Sequence, residues 1–545
     1  MRSYFVITSI ATVLSVTACG NVLDVSNDNN PNVSQVLARP ADVEAVIGSS
    51  YNVAHKATVG VNTDGIVQQM MVMSFENGSA LANYGFNRRY PIPRSFIDNS
   101  KNNSVAAGNY YDFANDAKAA RAASTGLEQL NKPAFSLGSV DKDFRARAFA
   151  YFVMGVGNGN LALVYDSGAV VTESNVHDIP ALVGHDSLMR AALNQLDSAF
   201  VYSQKTAINL DPTWINGATP LMTPAVFGQF IKSYKARFRA GVARTPAERA
   251  AVNWNAVLAD ALGGIQANVV ITLAPASGWD IGWIIQHYLF DTWHQQPPMI
   301  VGMADSAHTD GSFDYDAWLA LPLASRTRFL IKTADQRFPS GETRAAQQAA
   351  SGTGANPVPP RPNLYFRNGL ADATADAYQL SQYEHYRFQA LYTSGRSGPF
   401  PLMPKAEIDL LAAEAYYRLG DFTNAAAKIN ISRVGIGGLP PVVGAGTVPG
   451  GNACVPRVPD PAQNFQKAKC GDLLEALKWE KRLETAYIVY GAWYFDSRGW
   501  GDLAEGTALE WPVPYQELDT RVRPYYNLGG IGGKSAAATK GTYGY

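Results

Sequence analysis

Cysteine is nearly absent, with three in 545 residues. That excludes a fold scaffolded by disulfides and leaves too few thiolates for a zinc cluster. Histidine is scarce too. The seven, at positions 55, 177, 185, 287, 294, 308 and 385, are scattered, with no H-E-x-x-H pair. His287 and His294 fall seven apart but have no third ligand nearby, so no metal site is expected. Charge is also thin, at 17% of residues and a formal net of −1, which leaves no basic footprint for nucleic acid. No apolar run beyond the N-terminus is long enough to span a bilayer. No G-x-S-x-G elbow is present. "LGGIGGKS" (528–535) puts Leu528 where a phosphate loop requires its first glycine. "DGSFDYD" offers Asp310, Asp314 and Asp316 to a structural Ca²⁺ without the EF-hand pattern, so no cofactor is expected and a solvated loop is favoured. Nothing catalytic is legible, although paired carboxylates for glycoside hydrolysis would meet in space rather than in sequence.

What is present begins at the N-terminus. Met1 and Arg2 precede an apolar run that ends in Val16-Thr17-Ala18-Cys19. The run suits the core of a signal peptide over 1–18, and its last four residues fit a bacterial lipobox. The Cys19 thiol is then the nucleophile that takes the diacylglycerol, and two or more acyl chains anchor a protein stably to a membrane. Residues 19–40, rich in Asn and Ser, read as a lipid-anchored flexible tether. Lipidation of Cys19 leaves Cys454 and Cys470 for a local disulfide in a Pro- and Gly-rich loop, which would contribute about 3 kcal/mol by the chain-entropy model.

Hydrophobic residues make up 47% of the chain, enough for a large core, and aromatics 11%, with 27 Tyr and 10 Trp. A surface poor in charge and rich in Tyr, Trp, Asn and Gly suits neutral polar ligands such as sugars, although most of the rings must be core. The chain reads as mainly α from about residue 41 to 545, in a single domain. Apolar spacings of three and four predict helices near 110–124, 141–157, 185–204, 223–243 and 245–265, with the first two Ala-rich and amphipathic. Thr223 before Pro224 and Thr245 before Pro246 are N-cap signals, and Glu248 completes a capping box with Thr245. "AEIDLLAAEAYYRLGDFTNAAAKIN" (406–430) carries a helix, a Gly420-Asp421 turn and a second helix, and looks like a tetratricopeptide repeat. Helix pairs are expected near 110–157, 185–243, 404–433 and 472–490. Between them lie long irregular insertions near 75–104 and 266–400, with little β-structure.

"LLEALKWEKRLETAYIVYGAWYFDSRGWGDL" (473–503) resembles the C-terminal signature of the SusD/RagB family of outer-membrane nutrient-binding lipoproteins. Glu480, Arg482 and Glu484 stand in its E-x-R-x-E part. Gly491, Trp493, Asp496, Arg498, Trp500 and Gly501 stand in its "DLRRWG"-like part, with Ser497 and Gly499 departing from it. "WPVPYQEL" (511–518) looks like the family's P-x-P-x-x-E-L, whereas "GTYGY" matches its C-terminal end only loosely. Read physically, Glu480 and Glu484 lie four apart on a buried helix face and repel unless a cation intervenes. Arg498 is the expected cation, and the signature is expected to be structural.

The resemblance implies a binding module rather than an enzyme. It implies a tetratricopeptide-like scaffold that docks on a SusC-like TonB-dependent transporter as its lid, a ligand site in the irregular segments, and an outer-membrane location facing the cell exterior. The ligand would be an oligosaccharide, or a peptide. From composition alone, the candidate contacts are Tyr84, Phe86, Asn87, Arg88, Arg89 and Tyr90, then Trp279, Asp280, Trp283 and Trp293. The first group is the stronger, because paired arginines beside tyrosine are hard to bury. Two other readings stay open, a lipid-anchored glycoside hydrolase of helical-barrel type and a tetratricopeptide-type assembly lipoprotein.

Overall fold

The structure is a computed structural model that describes residues 37–59, 65–79, 85–281, 295–306, 308, 311–351, 363–369 and 381–545. Cys19, Tyr84, Trp283, Trp293 and Asp310 lie outside the described residues. About half of the chain is helical and about a tenth is strand, so the mainly α expectation holds.

The helices follow one another in space as they do in sequence. α1 (Pro40–Val59) packs on α2 (Ala106–Leu130), α2 on α3 (Val140–Val164), α3 on α4 (His185–Ser203), and α4 on α5 (Pro224–Gly241). The caps explain where several begin. Ser139, Thr223 and Asp421 each accept from the backbone N–H three residues on, satisfying a donor that the first helical turn leaves unpaired. Thr245 caps the next helix in the same way. Glu248 reaches past it to the N–H of Arg244, so the expected capping box closes one residue early. The helix expected over 245–265 is broken. Val252 turns extended and Asn253 opens a new cap, giving a short turn of helix and then α6 (Trp254–Leu262).

α3 departs most from expectation. Its second half is not amphipathic, because every residue from Phe152 to Val164 is buried. A helix segment buried on all sides belongs in the middle of a core, and its polar members Asn158 and Asn160 bond Gln195 and Asp116 there. Three glycines let three neighbours approach it. A Cβ on Gly155 would meet Leu196 of α4, one on Gly159 would meet Phe238 of α5, and one on Gly157 would stand 2.6 Å from the carbonyl oxygen of Asp116 in α2. A ring or a leucine can turn aside, but a helix backbone cannot. Gly157→Ala is therefore expected to cost about 1–3 kcal/mol, read as a lower denaturation midpoint with an unchanged far-ultraviolet spectrum. A variant as stable as the wild type would mean that α2 and α3 are not in contact there.

After α6 the chain enters the long irregular region. β1 (Val269–Leu273) pairs antiparallel with β2 (Gly398–Met403), Ile271 opposite Phe400. This ladder brackets the insertion, so the chain leaves and returns at one place. α7 (Lys405–Arg418) and α8 (Phe422–Gly435) then form the helix pair read in the sequence, with Gly420 at φ 82° in the turn between them. α7 packs on α6, and α9 (Leu473–Thr485) packs on α7 and α8. The helix expected to reach 490 stops at Thr485, because Ala486 is extended and Tyr487 takes φ 60°. α10 (Ala492–Trp500) follows. Cys454 and Cys470 are joined by a disulfide. Each sheet among the described residues is a two-stranded antiparallel pair.

Candidate functional site

The signature residues sit in the core. α9 buries Lys478, Glu480, Lys481, Arg482 and Glu484 on a helix of 13 residues. Charges buried this densely must be paired, because each costs several kcal/mol to desolvate. Lys478 bonds Asp502 at 2.9 Å, Arg482 bonds the other oxygen of Asp502, and Lys481 pairs with Asp496 at 2.8 Å. Asp496 and Glu414 together hold Arg249. Trp500 donates its indole N–H to Glu414 at 3.0 Å, and Trp493 donates to the carbonyl of Arg482 at 2.6 Å. Gly491 and Gly501 flank α10 with left-handed backbones, φ 60° and 81°.

The expected partner of Glu480 and Glu484 is corrected. Arg498 touches neither. Its guanidinium donates to the carbonyls of Leu509 at 2.7 Å, Leu163 at 2.8 Å and Gly241 at 2.9 Å. Leu163 and Gly241 lie in the last turns of α3 and α5, where carbonyls lack intrahelical partners and the dipole favours a cation. Arg498 thus ties two helix ends together. The cation between the glutamates is Arg337, from the irregular insertion. It bonds Glu480 at 2.7 and 3.1 Å, Glu484 at 3.3 Å and Asp335 at 2.9 and 2.7 Å. Burial pulls the Arg337 pKa down, but the Asp335 and Glu480 carboxylates outweigh it and hold the group well above its ordinary value. The insertion is locked to the scaffold at this point.

The aromatic segments are placed differently from the reading above. Phe86, Arg89 and Tyr90 are buried. Arg89 was expected to resist burial, yet it donates to Gln69 at 2.9 Å and to the carbonyl of Phe96 at 3.0 Å, which satisfies enough of its donors to keep it inside. Arg88 is half-buried and bonds Asn103 at 2.6 Å, and Asn87 is exposed. Trp279 is also core, its ring 6.2 Å from Tyr51 and 5.1 Å from His55. Asp280 is half-buried, with its carbonyl 2.9 Å from His55 Nε2 and its carboxylate 3.4 Å from Arg396.

An open aromatic cleft lies instead within the insertion, at the segment that drew attention for its aspartates. Phe313 is 44% exposed. It is the outer end of a ladder of rings. It meets Phe329 edge-on at 6.2 Å, Phe329 stacks on Tyr315 at 6.2 Å, and Tyr315 stacks on Trp318 at 6.0 Å. The inner rings are buried, so Phe313 is held by its neighbours rather than free to fold away. The cleft has a volume of about 650 Å³, within the range of small-ligand sites, and Arg328, Lys332, Glu342 and His308 line it with Phe313. Lys332 and Glu342 pair across it at 2.7 Å. Asp305 lies beneath and fixes its shape. One carboxylate oxygen accepts from the N–H of Lys332 at 2.9 Å and the other from the N–H of Tyr315 at 3.0 Å. Burial raises the Asp305 pKa to about 6, against the pull of those bonds.

The two described aspartates of the loop have protein partners. Asp314 caps the helix that follows, accepting from Ala317 N, and Asp316 accepts from Ala468 N and pairs with Arg457. Among the described residues no group of acidic, histidine and cysteine side chains is arranged to hold a metal ion. A sequence signal for the ladder was available: Phe313, Tyr315 and Trp318 stand within six residues of one another in a run otherwise rich in Gly, Ser and Asp.

No protein-family model matches the chain, and no curated protein matches it. Solved structures do resemble it. A SusD superfamily protein from Bacteroides vulgatus ATCC 8482 aligns over 89% of this chain and 90% of its own, at 13% identity and TM-score 0.49. A SusD superfamily protein from Bacteroides thetaiotaomicron VPI-5482 aligns over 88% and 92%, at 10% identity and TM-score 0.49. A SusD-like carbohydrate binding protein from Bacteroides fragilis NCTC 9343 aligns over 92% and 95%, at 13% identity and TM-score 0.46. Likeness at this level transfers neither a ligand nor a partner.

Proposed function

We propose that the protein is a surface lipoprotein of SusD/RagB type that captures a neutral oligosaccharide and passes it to a TonB-dependent transporter in the outer membrane. The observation that carries the reading is the exposed face of Phe313 at the mouth of a cleft rimmed by charged and polar groups. Sugar rings offer an apolar face to an aromatic ring and hydroxyls to the polar rim around it. The lipobox at Cys19 and the tether after it would hold such a cleft beside a membrane partner, and the helix pairs would form the docking scaffold.

Titration calorimetry of the purified full chain in detergent tests this, with starch, xylan and mannan oligosaccharides and mixed peptides as probes. At least one glycan is expected to bind, and Phe313→Ala to weaken it roughly tenfold, the worth of one aromatic contact. Binding that is unchanged in Phe313→Ala, or heat from peptides alone, would sink the oligosaccharide reading. Turnover of a bound glycan would move the protein to the hydrolases.

A further inference from the structure

The disulfide hairpin places an aromatic residue where its backbone is strained. β3 (Arg457–Pro459) and β4 (Ala468–Cys470) pair antiparallel, with Arg457 opposite Cys470. In the loop between them Asn464 and Phe465 both adopt left-handed conformations, φ 48° and 58°. Asparagine tolerates this region, whereas for a bulky residue such as phenylalanine it is an outlier. Several contacts keep the conformation in place. The N–H of Phe465 donates to the carbonyl of Asp460 at 2.9 Å, and Lys469 pairs with the Asp460 carboxylate at 2.9 Å. The C-terminal segment closes in from the other side at Gly544, where a Cβ would stand 2.7 Å from that of Phe465.

The strain sets one half-buried ring between two open clefts. One, of about 550 Å³, includes Lys469, Asp472, Glu475 and Thr542; the other, of about 470 Å³, includes Asn464, Gln466 and Tyr545; Phe465 and Lys540 line both. The lining has no dominant sign, since Lys469 and Lys540 face Asp472 and Glu475. Amides and a hydroxyl add to it, and apolar side chains such as Val458, Pro461, Leu321 and Ile531 make up much of the rest. Strained backbone over-determined by its surroundings gathers at ligand clamps.

We infer that the two clefts form one extended second site for a neutral oligosaccharide, which crosses the hairpin with the ring of Phe465 stacked between its sugar units. This site is separate from the Phe313 cleft and shares its ligand class, so it rests on the function proposed above. Cys470 lines the first cleft, and the disulfide fixes the hairpin that carries the ring.

Hydrogen–deuterium exchange of the full chain, with xylan, mannan and starch oligosaccharides as probes, tests the inference. At least one probe is expected to protect 458–472 and 540–545 as well as 311–332. Phe465→Leu keeps apolar bulk but loses the ring face. It is expected to raise the concentration needed for the first protection roughly tenfold and leave protection at 311–332 unchanged. Cys454→Ser with Cys470→Ser is expected to lose the first protection and keep the second. Protection at 311–332 alone, or an unaffected Phe465→Leu, overturns the second site and leaves the proposed function standing. Protection at neither place overturns both.

Discussion

Arg337→Met is expected to destabilise the protein by about 3–5 kcal/mol, the cost of removing one partner from a buried ion cluster. The change leaves Asp335, Glu480 and Glu484 without their shared cation, and all four side chains are fully buried or nearly so. Methionine fills much of the arginine volume, so the loss is electrostatic more than steric. Its pH dependence has a definite sign. Burial already pushes the Glu480 carboxyl up, and Arg337 pulls it partly back. Without Arg337 the folded-state pKa of Glu480 rises further above its unfolded value. The stability that Glu480 contributes is then present only at low pH and is lost as pH rises through the raised value. The gap between wild type and Arg337→Met should therefore narrow towards pH 4 and widen above neutrality. Adding Glu480→Gln to Arg337→Met should recover part of the loss. Thermal unfolding midpoints across pH give the readout, and a gap that does not depend on pH would show that Arg337 acts through packing alone. The same variant should loosen the insertion, because Arg337 joins it to α9.

Glu76→Gln should act in the opposite direction. Glu76 is buried, and burial raises its pKa from 4.5 to about 8; the bond it accepts from the N–H of Tyr487 at 2.8 Å offsets only part of this. A carboxyl whose folded pKa is raised contributes stability that is fully present below its unfolded value and lost as pH climbs through the folded one. For Glu76 that window runs from about 4.5 to about 8. The wild type is expected to lose on the order of 4 kcal/mol across it from this group alone. Glutamine stays neutral and keeps the Oε1 acceptor for Tyr487. The variant should therefore match the wild type near pH 4 and exceed it increasingly up to pH 9. Asp112, raised by burial to about 7, adds a loss of the same sign to both proteins and cancels in the difference. Unfolding midpoints that run parallel from pH 5 to pH 9 would show that Glu76 is hydrated or paired in the native state.

The candidate site was only partly legible. Aromatic richness pointed to the irregular segments, and the Phe313 cleft lies in one of them. In the sequence the flanking aspartates suggest a cation loop and mask the ring, whereas in the structure those aspartates cap a helix and pair with Arg457. The charge of the "NYGFNRRYP" arginines points outward in the sequence. Whether Arg89 stays outside depends on whether acceptors exist inside, and Gln69 and the Phe96 carbonyl provide them.

The sequence by itself determined what is local. The caps at Thr223 and Thr245 and the Gly420 turn depend on groups three or four residues apart, and each is where the residues said it would be. Tertiary structure alone decided the rest. The pairing of Arg337 with Glu480 spans 143 positions, and Arg498 reaches 335 positions back to Leu163. A charge on a helix face shows that it needs a partner and says nothing about which of many distant groups will supply one. That choice, like the exposure of Phe313, is made when the insertion folds back on the scaffold and a buried charge or ring must take the company that packing brings.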